Sequence, residues 1–378
     1  MHGSLAQALY SCGRQDEARE VIEEGVRLAR EQKAMLMLFR HLIVKGYFEM
    51  DAGESQEAAE SLAEAFAISS EKGYLNFSWW RRDVMTRVCL KALEEGIEAE
   101  WIGGMVRRRG LVPEEPPLHL DAWPWPLKVY TLGRFEIARD GTPVQFSGKV
   151  PQKPLLMLKA VVALGGKGVS EVQLSDILWP DADGDLAHRS FETTLYRLRH
   201  LLGDDGVLQH EGGLLGIDRR HCWVDAWAFE HLCGRAESLW RSGNGAGPQE
   251  AMALGEKALG LYHGHFLPSE GHEAWTVVAR ERLRNKFLRL TLLIGRHWEQ
   301  TGQYEEALRY FEKGIEVDGL AEELYQHVMA CHIRLGWKAD ALRAYERCRA
   351  ALSSTLGITP SDRTEEIIEA IRPVNASR

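Results

Sequence analysis

The sequence predicts a mainly α protein: a helical-repeat arm, a central segment with small β elements, and a second helical-repeat segment toward the C-terminus. Three observations carry this expectation. Apolar residues recur at helical spacing over most of the 378 residues. The period changes to that of short strands soon after Leu127. A glycine followed five positions later by an alanine recurs on both sides of that middle segment.

The first segment, residues 1–111, is broken by Gly13, Gly53 and Gly73 into antiparallel helices. The recurring pattern reads Gly13-Arg14-Gln15-Asp16-Glu17-Ala18, Gly53-Glu54-Ser55-Gln56-Glu57-Ala58, Gly302-Gln303-Tyr304-Glu305-Glu306-Ala307 and Gly336-Trp337-Lys338-Ala339-Asp340-Ala341. Glycine ends one helix at positive φ, and the small alanine lets the next helix pack closely on it. This resembles the turn of tetratricopeptide-type hairpins. The last two copies are 34 residues apart, the period of such repeats, and the first two are 40 apart.

Residues 112–126 hold five prolines, which stop helices and stiffen the chain, so this stretch is the expected domain boundary. Trp123 and Trp125 within it are expected to anchor the linker on a neighbouring domain, since a polar tether needs no tryptophan.

Residues 127–222 read as a winged helix-turn-helix. Leu127 to Ile137 holds strand formers, Asp140-Gly141 a turn, and Val144-Gln145-Phe146 a returning strand. Pro154 to Leu164 reads as a first helix, closed by Gly165-Gly166-Lys167-Gly168. Ser170 with Gln173 has the spacing of a capping box for a second helix, which Trp179-Pro180 ends. Phe191, Leu195, Leu198 and Leu202 recur at four, three and four residues as the buried stripe of a third helix, about Ala187 to Leu202. Val207 to His210, Gly212-Gly213 and Leu214 to Ile217 then form a hairpin.

The third helix has the residues to enter a major groove. Arg189, Thr193, Tyr196, Arg197 and His200 lie opposite its apolar stripe, and Arg189, Thr193 and Arg197 follow at four-residue steps along one ridge. Arginine can pair with both guanine acceptors, and threonine offers a methyl to thymine. Lys149, Lys153 and Lys167, with Arg219 and Arg220 beyond the hairpin, are candidates for phosphate or minor-groove contacts, which position without specifying.

Charge bears on this directly. The whole chain carries −9, which counts against a polyanionic partner. The middle segment from Leu127 to Asp225 is nearly neutral, with 12 lysines and arginines against 13 acids. Between Leu186 and Leu202, however, Arg189, Arg197 and Arg199 face only Glu192. The basic surface is expected to be local.

Other classes find less support. The six cysteines lack the close spacing of zinc or redox motifs and are expected to be reduced and mostly buried. No apolar run is long enough to span a membrane and no leader is apparent, so the expected setting is cytoplasmic, with no membrane partner. No nucleophile and base pair or metal-spaced cluster emerges, so no enzyme activity, cofactor or metal is expected; His263 and His265 read as structural turn residues. Gly165 to Gly168 lacks the spacing and hydroxyl of a phosphate-binding loop.

The chain resembles the bacterial transcriptional activators that join a response-regulator-type winged helix to a tetratricopeptide-like bacterial transcriptional activator domain. The resemblance rests on Leu132-Gly133-Arg134-Phe135 with Gly141, the first helix bearing Leu155, the segment Val169 to Trp179-Pro180, and Leu195-Tyr196-Arg197-Leu198-Arg199-His200-Leu201-Leu202-Gly203. Downstream it rests on Asp225 to Phe229, Ala258-Leu259-Gly260-Leu261-Tyr262-His263-Gly264-His265-Phe266-Leu267, Ala341 to Arg349, and Leu356 to Ser361. An arginine often stands where this chain has His263.

The resemblance implies a C-terminal activator domain over residues 223–373, Arg189, Thr193 and Arg197 facing the groove, double-stranded promoter DNA often read at direct repeats, and contact with RNA polymerase. It leaves room for a homo-oligomer on DNA and for a protein or small-molecule effector on the repeats. About 110 helical residues precede the winged helix, an arrangement similar to the C-terminal part of large signal-transduction regulators with an ATPase upstream. Tyr47, Phe48, Trp79, Trp80 and Trp101 are candidates for an effector groove, against the simpler reading as packing residues. The competing functional reading is a protein-binding scaffold with a degenerate winged helix.

Overall fold

A computed structural model of the chain describes residues 2–76, 81–145, 150–203, 206–242 and 247–369. Trp79, Trp80, Phe146 and Lys149 lie outside the described residues. The described chain is mainly helical and divides into two compact units. The first comprises Met1–Leu127 with the short stretches Arg139–Thr142 and Asp218–Trp223; the second comprises Lys128–Ala138, Pro143–Ile217 and Val224–Arg378.

The first unit contains α1 (His2–Ser11), α2 (Gln15–Glu31), α3 (Met35–Asp51), α4 (Ser55–Lys72), α5 (Arg82–Glu94) and α6 (Ala99–Arg109). The glycine–alanine pattern works as expected. Gly13 and Gly53 sit at φ +79° and +81°, and Ala18 and Ala58 are fully buried. At each turn the glycine amide donates three residues back and the following amide five residues back: Gly13 N to Tyr10 O with Arg14 N to Leu9 O, and Gly53 N to Met50 O with Glu54 N to Glu49 O. These pairs satisfy carbonyls that a helix end leaves open.

Phe48 is buried and stacks on Tyr10 at 4.1 Å, and the Trp101 indole donates to Ser69 Oγ at 2.8 Å. Both therefore serve packing. The proline-rich stretch is packed as well: Trp123 and Trp125 are buried, and the indoles of Trp125 and Trp223 donate to Leu120 O and Leu118 O.

His41 on α3 is buried, which holds its imidazole below the usual histidine range. As pH falls the unfolded chain takes up this proton first, so the stability His41 contributes is present above about pH 6.5 and lost below it. Thermal unfolding should show a lower Tm at pH 5.5 than at 7.5, with a smaller difference in His41→Gln; an equal difference in both proteins would assign the acid sensitivity elsewhere.

Between the two helical segments come β1 (Leu127–Tyr130), β2 (Glu136–Arg139) and β3 (Thr142–Pro143). Asp140 and Gly141 are at φ +48° and +81°, a tight two-residue connection in which the return strand begins at once. It therefore starts at Thr142, two residues before the expected Val144, and Val144 N still donates to Ile137 O at 2.8 Å.

The second unit continues with α7 (Gln152–Ala163), β4 (Val169–Ser170), α8 (Glu171–Leu178), α9 (Gly184–Leu202), β5 (Leu208–Glu211), β6 (Leu214–Ile217) and the end of β7 (Cys222–Val224). Strands β3, β2, β1 and β7 form one sheet in that order, and β4, β6 and β5 a second, antiparallel one. In the second, Val169 faces Leu215 and Leu208 faces Ile217, while Gly212 and Gly213 at positive φ make the hairpin turn.

The expected capping box at Ser170 does not form. Its side chain makes no cap bond because Ser170 is committed to β4, and the amide of Glu171 donates instead to Gly213 O at 2.9 Å. The hydroxyl has lost its place to a strand pairing that the local sequence does not announce. Helix α9 is capped by Asp183, which accepts from Leu186 N at 2.8 Å, so it starts at Gly184, earlier than expected.

The C-terminal helices are α10 (Asp225–Ser242), α11 (Gly247–Leu261), α12 (Ala274–Gln300), α13 (Tyr304–Val317), α14 (Glu322–Arg334), α15 (Lys338–Leu356) and α16 (Asp362–Glu369). The turns at Gly302 and Gly336 repeat the bond pair of the first unit, and Ala307 and Ala341 are again fully buried. Phe311, Leu324, Val328, Met329 and Cys348 form the centre of this core.

Two distant motifs meet here. Gly133, at φ +84°, lies so close to the turn at His263-Gly264 that an added Cβ would stand 2.7 Å from His263 O. Gly133 N donates to His265 O and Leu267 N to Thr131 O. Arg280 fastens the same turn through Phe266 O, Leu267 O and Gly271 O. Gly133→Ala combines a backbone clash with a disfavoured φ and should destabilise the second unit by about 1–3 kcal/mol. Denaturant unfolding checks this; an unchanged midpoint would mean that the turn yields freely.

Candidate nucleic-acid interface

The buried face of α9 is the expected one: Phe191, Leu195 and Leu198 are fully buried and Leu202 nearly so. Its burial fixes the rotation of the helix, which in turn exposes the opposite ridge. Arg189, Thr193, Tyr196, Arg197 and His200 are all exposed, Tyr196 at 72%.

The cations of this ridge differ from several arginines elsewhere among the described residues. Arg14, Arg27, Arg343 and Arg349 each sit on a carboxylate three or four residues away. Among the described residues neither Arg189 nor Arg197 is held in an ion pair; Arg189 Nε reaches only the carbonyl of Asp185 at 3.3 Å. Thr193 donates its hydroxyl proton to Arg189 O at 2.9 Å, which leaves its methyl and the hydroxyl lone pairs for a partner.

Lys153 joins this surface. With Trp179, Arg189, Thr193 and Arg197 it lines one shallow recess. Its ammonium donates to Leu178 O, at the C-terminal end of α8, and lies 5.8 Å from the centre of the Trp179 ring. It thus ties α7 to α8 while presenting charge beside the ridge.

Lys167, in the same unit, does not line that recess. Lys167 is exposed in the loop before β4, next to Gly216 of β6. That loop is fixed by Gly166, whose Cα faces the Trp227 ring and whose carbonyl accepts from Ile217 N. Arg219 and Arg220 belong to the first unit. Arg220 grips Asp218 through Nε and Nη2 and holds that carboxyl down to about 2, so its guanidinium is already engaged. The hairpin tip carries Glu211 and two glycines and no cation.

A cluster that sequence reasoning missed lies beside the ridge. His188 and Glu192, one turn apart on α9, meet Glu171 at the start of α8 and His210 on β5. His188 Nδ1 is 2.5 Å from Glu171 Oε1, His210 Nε2 is 3.4 Å from Glu171 Oε2, and His210 Nδ1 is 3.8 Å from Glu192 Oε1. The helical step from 188 to 192 was legible; its meeting with residues 171 and 210 depends on tertiary structure. His263 and His265, by contrast, gain no third metal-type ligand among the described residues.

No described helix is long and apolar enough to cross a membrane. Five cysteines are buried and Cys12 is exposed. Burial pushes the thiols of Cys89 and Cys233 up to about 12, which makes them poor nucleophiles.

Comparison with known proteins agrees with this architecture. The bacterial transcriptional activator domain matches residues 224–372, and a tetratricopeptide repeat matches residues 1–32. Regulatory protein AfsR of Streptomyces griseus is 27% identical over 264 residues, covering 69% of this chain and 26% of that protein. AfsR of Streptomyces coelicolor is 28% identical over 249 residues, covering 65% of this chain and 24% of that protein. The chain thus spans about a quarter of the length of the curated relatives it matches. Among solved structures, Mycobacterium tuberculosis EmbR, in complex with a low-affinity phosphopeptide, has a similar fold. Its TM-score is 0.52 and its identity 22%, over 65% of this chain and 64% of that one. Residues 224–372 are thus similar to a bacterial transcriptional activator domain and residues 1–32 to a tetratricopeptide repeat.

Proposed function

We propose that this chain is a non-enzymatic transcriptional regulator that reads double-stranded promoter DNA with α9. The observation that carries the reading is the exposed ridge of Arg189, Thr193 and Arg197, whose two guanidiniums lack a carboxylate partner among the described residues. Two such groups on a helix whose other face is locked in a core suit bidentate contacts to guanine in a major groove. Lys153 adds a phosphate contact at the edge, and Tyr196 and His200 extend the surface along the helix. The repeats on either side supply faces for RNA polymerase, a signalling partner or an effector.

A second reading, a scaffold whose winged helix no longer binds DNA, draws on the cation-free hairpin tip and the net charge of −9. Binding of the chain to DNA from upstream of its own gene, measured across a salt series, separates the two. A DNA reader gives site-selective binding that weakens with salt at a slope of about 0.9 per phosphate contact. A folded protein with no selective binding sinks the DNA reading and leaves the scaffold.

A further inference from the structure

We propose that Glu171, His188, Glu192 and His210 bind one divalent cation of the zinc class, which clamps the hairpin of the winged domain to the DNA-facing helix. The four side chains come from three elements, α8, α9 and β5. Ligand atoms of Glu171, His188 and Glu192 already lie within 4.8 Å of one another, and His210 stands between the two carboxylates. A tetrahedral zinc site needs bonds of about 2.0–2.2 Å to such donors, hence donor separations of roughly 3.3–3.5 Å. His210 can give an ion only one ring nitrogen: Nε2, 3.4 Å from Glu171 Oε2, already stands at such a separation, whereas His188 Nδ1 and Glu171 Oε1, 2.5 Å apart, must open to admit the ion.

Two features point to a metal rather than a plain ion-pair cluster. His210 Nε2 is buried and makes no hydrogen bond, and Glu171 Oε2 stands 3.4 Å away from it as an ion-pair contact only. The inner members, Glu171 and His210, are about 16% and 17% exposed, whereas His188 and Glu192 on the rim are half exposed or more. The inner pair is therefore preset, and the outer pair can swing onto an arriving ion at little cost. Two imidazoles with two carboxylates favour zinc, cobalt or nickel over magnesium or calcium.

The site would also alter the charge beside the proposed DNA ridge. Glu192 directly precedes Thr193 and is the sole acid between Leu186 and Leu202. A bound dication cancels the two carboxylates and holds β5 against α9. This consequence rests on the DNA-reading proposal; the metal site itself does not.

The test uses the full chain without a histidine tag, stripped with chelator. Zinc is titrated in competition with a chromogenic chelator, and cobalt(II) serves as the spectroscopic probe. The expected result is one equivalent bound, with the visible bands of four-coordinate cobalt and no thiolate charge-transfer band. Affinity should fall at least tenfold in His188→Ala, whose exposed side chain can be removed without disturbing the core, and further when His210→Ala is added.

Wild-type affinity in both variants, no stoichiometric binding, or a thiolate band would overturn the site. DNA affinity is then measured with and without zinc. Stoichiometric binding with unchanged DNA affinity overturns the clamp and leaves the site, whereas failure of the protein to bind DNA at all bears only on the DNA reading.

Discussion

Replacing Arg189 and Arg197 together by alanine is expected to lower affinity for a specific DNA site by about 10²-fold or more, at roughly 1–3 kcal/mol for each lost bidentate base contact. Both side chains are exposed and neither is held in an ion pair among the described residues, so the fold should not register their loss. Binding to unrelated DNA should weaken less, because phosphate contacts from Lys153 and the helix surface remain. Lys153→Ala should give the opposite signature, a uniform loss over all sequences and a shallower salt slope. Its measurement needs a stability control, since Lys153 also donates to Leu178 O. If the double arginine variant binds its site as well as the wild type, α9 does not read bases.

The largest loss of stability is expected for Asp225→Ala. This buried carboxylate, at the first position of α10, accepts from the amides of Thr131, Leu132 and Ala226 at 2.7–2.9 Å and from the Thr131 hydroxyl at 2.6 Å. Burial pushes its carboxyl above the usual range, and these donors pull the other way. Truncation strands several donors in a site where Thr131 and Leu132 are fully buried. At about 1–3 kcal/mol for each unpaired buried group, the total should exceed roughly 3 kcal/mol. Asp225→Asn keeps one acceptor oxygen and should recover part of it. Chemical denaturation decides the matter: a change within ~0.5 kcal/mol, as for an ordinary surface position, would mean that water enters to satisfy the donors.

Asp225 also explains why one motif of the sequence depends on another far along the chain. It joins the loop after β1 to the first turn of the activator domain, while Gly133 lies against the turn at His263-Gly264. Both motifs were legible as resemblances in the sequence. Their meeting was not, because nothing local in Leu132-Gly133 tells which backbone will approach within van der Waals distance.

What the sequence determined by itself is what depends on neighbours a few residues apart. The leucine stripe of α9 fixes which face is buried, and so leaves Arg189, Thr193 and Arg197 outside. The glycines at positions 13, 53, 302 and 336 take positive φ because a helix end needs it, and the alanines five residues on are buried because two helices must approach there. Tertiary structure decided what depends on distant partners: Ser170 gives up its cap to a strand, and Glu171 and His210 arrive beside His188 and Glu192. Helical turns are built from contacts of short range, which periodicity records. Ion pairs, strand pairings and ligand clusters join residues tens of positions apart, and only the folded chain specifies them.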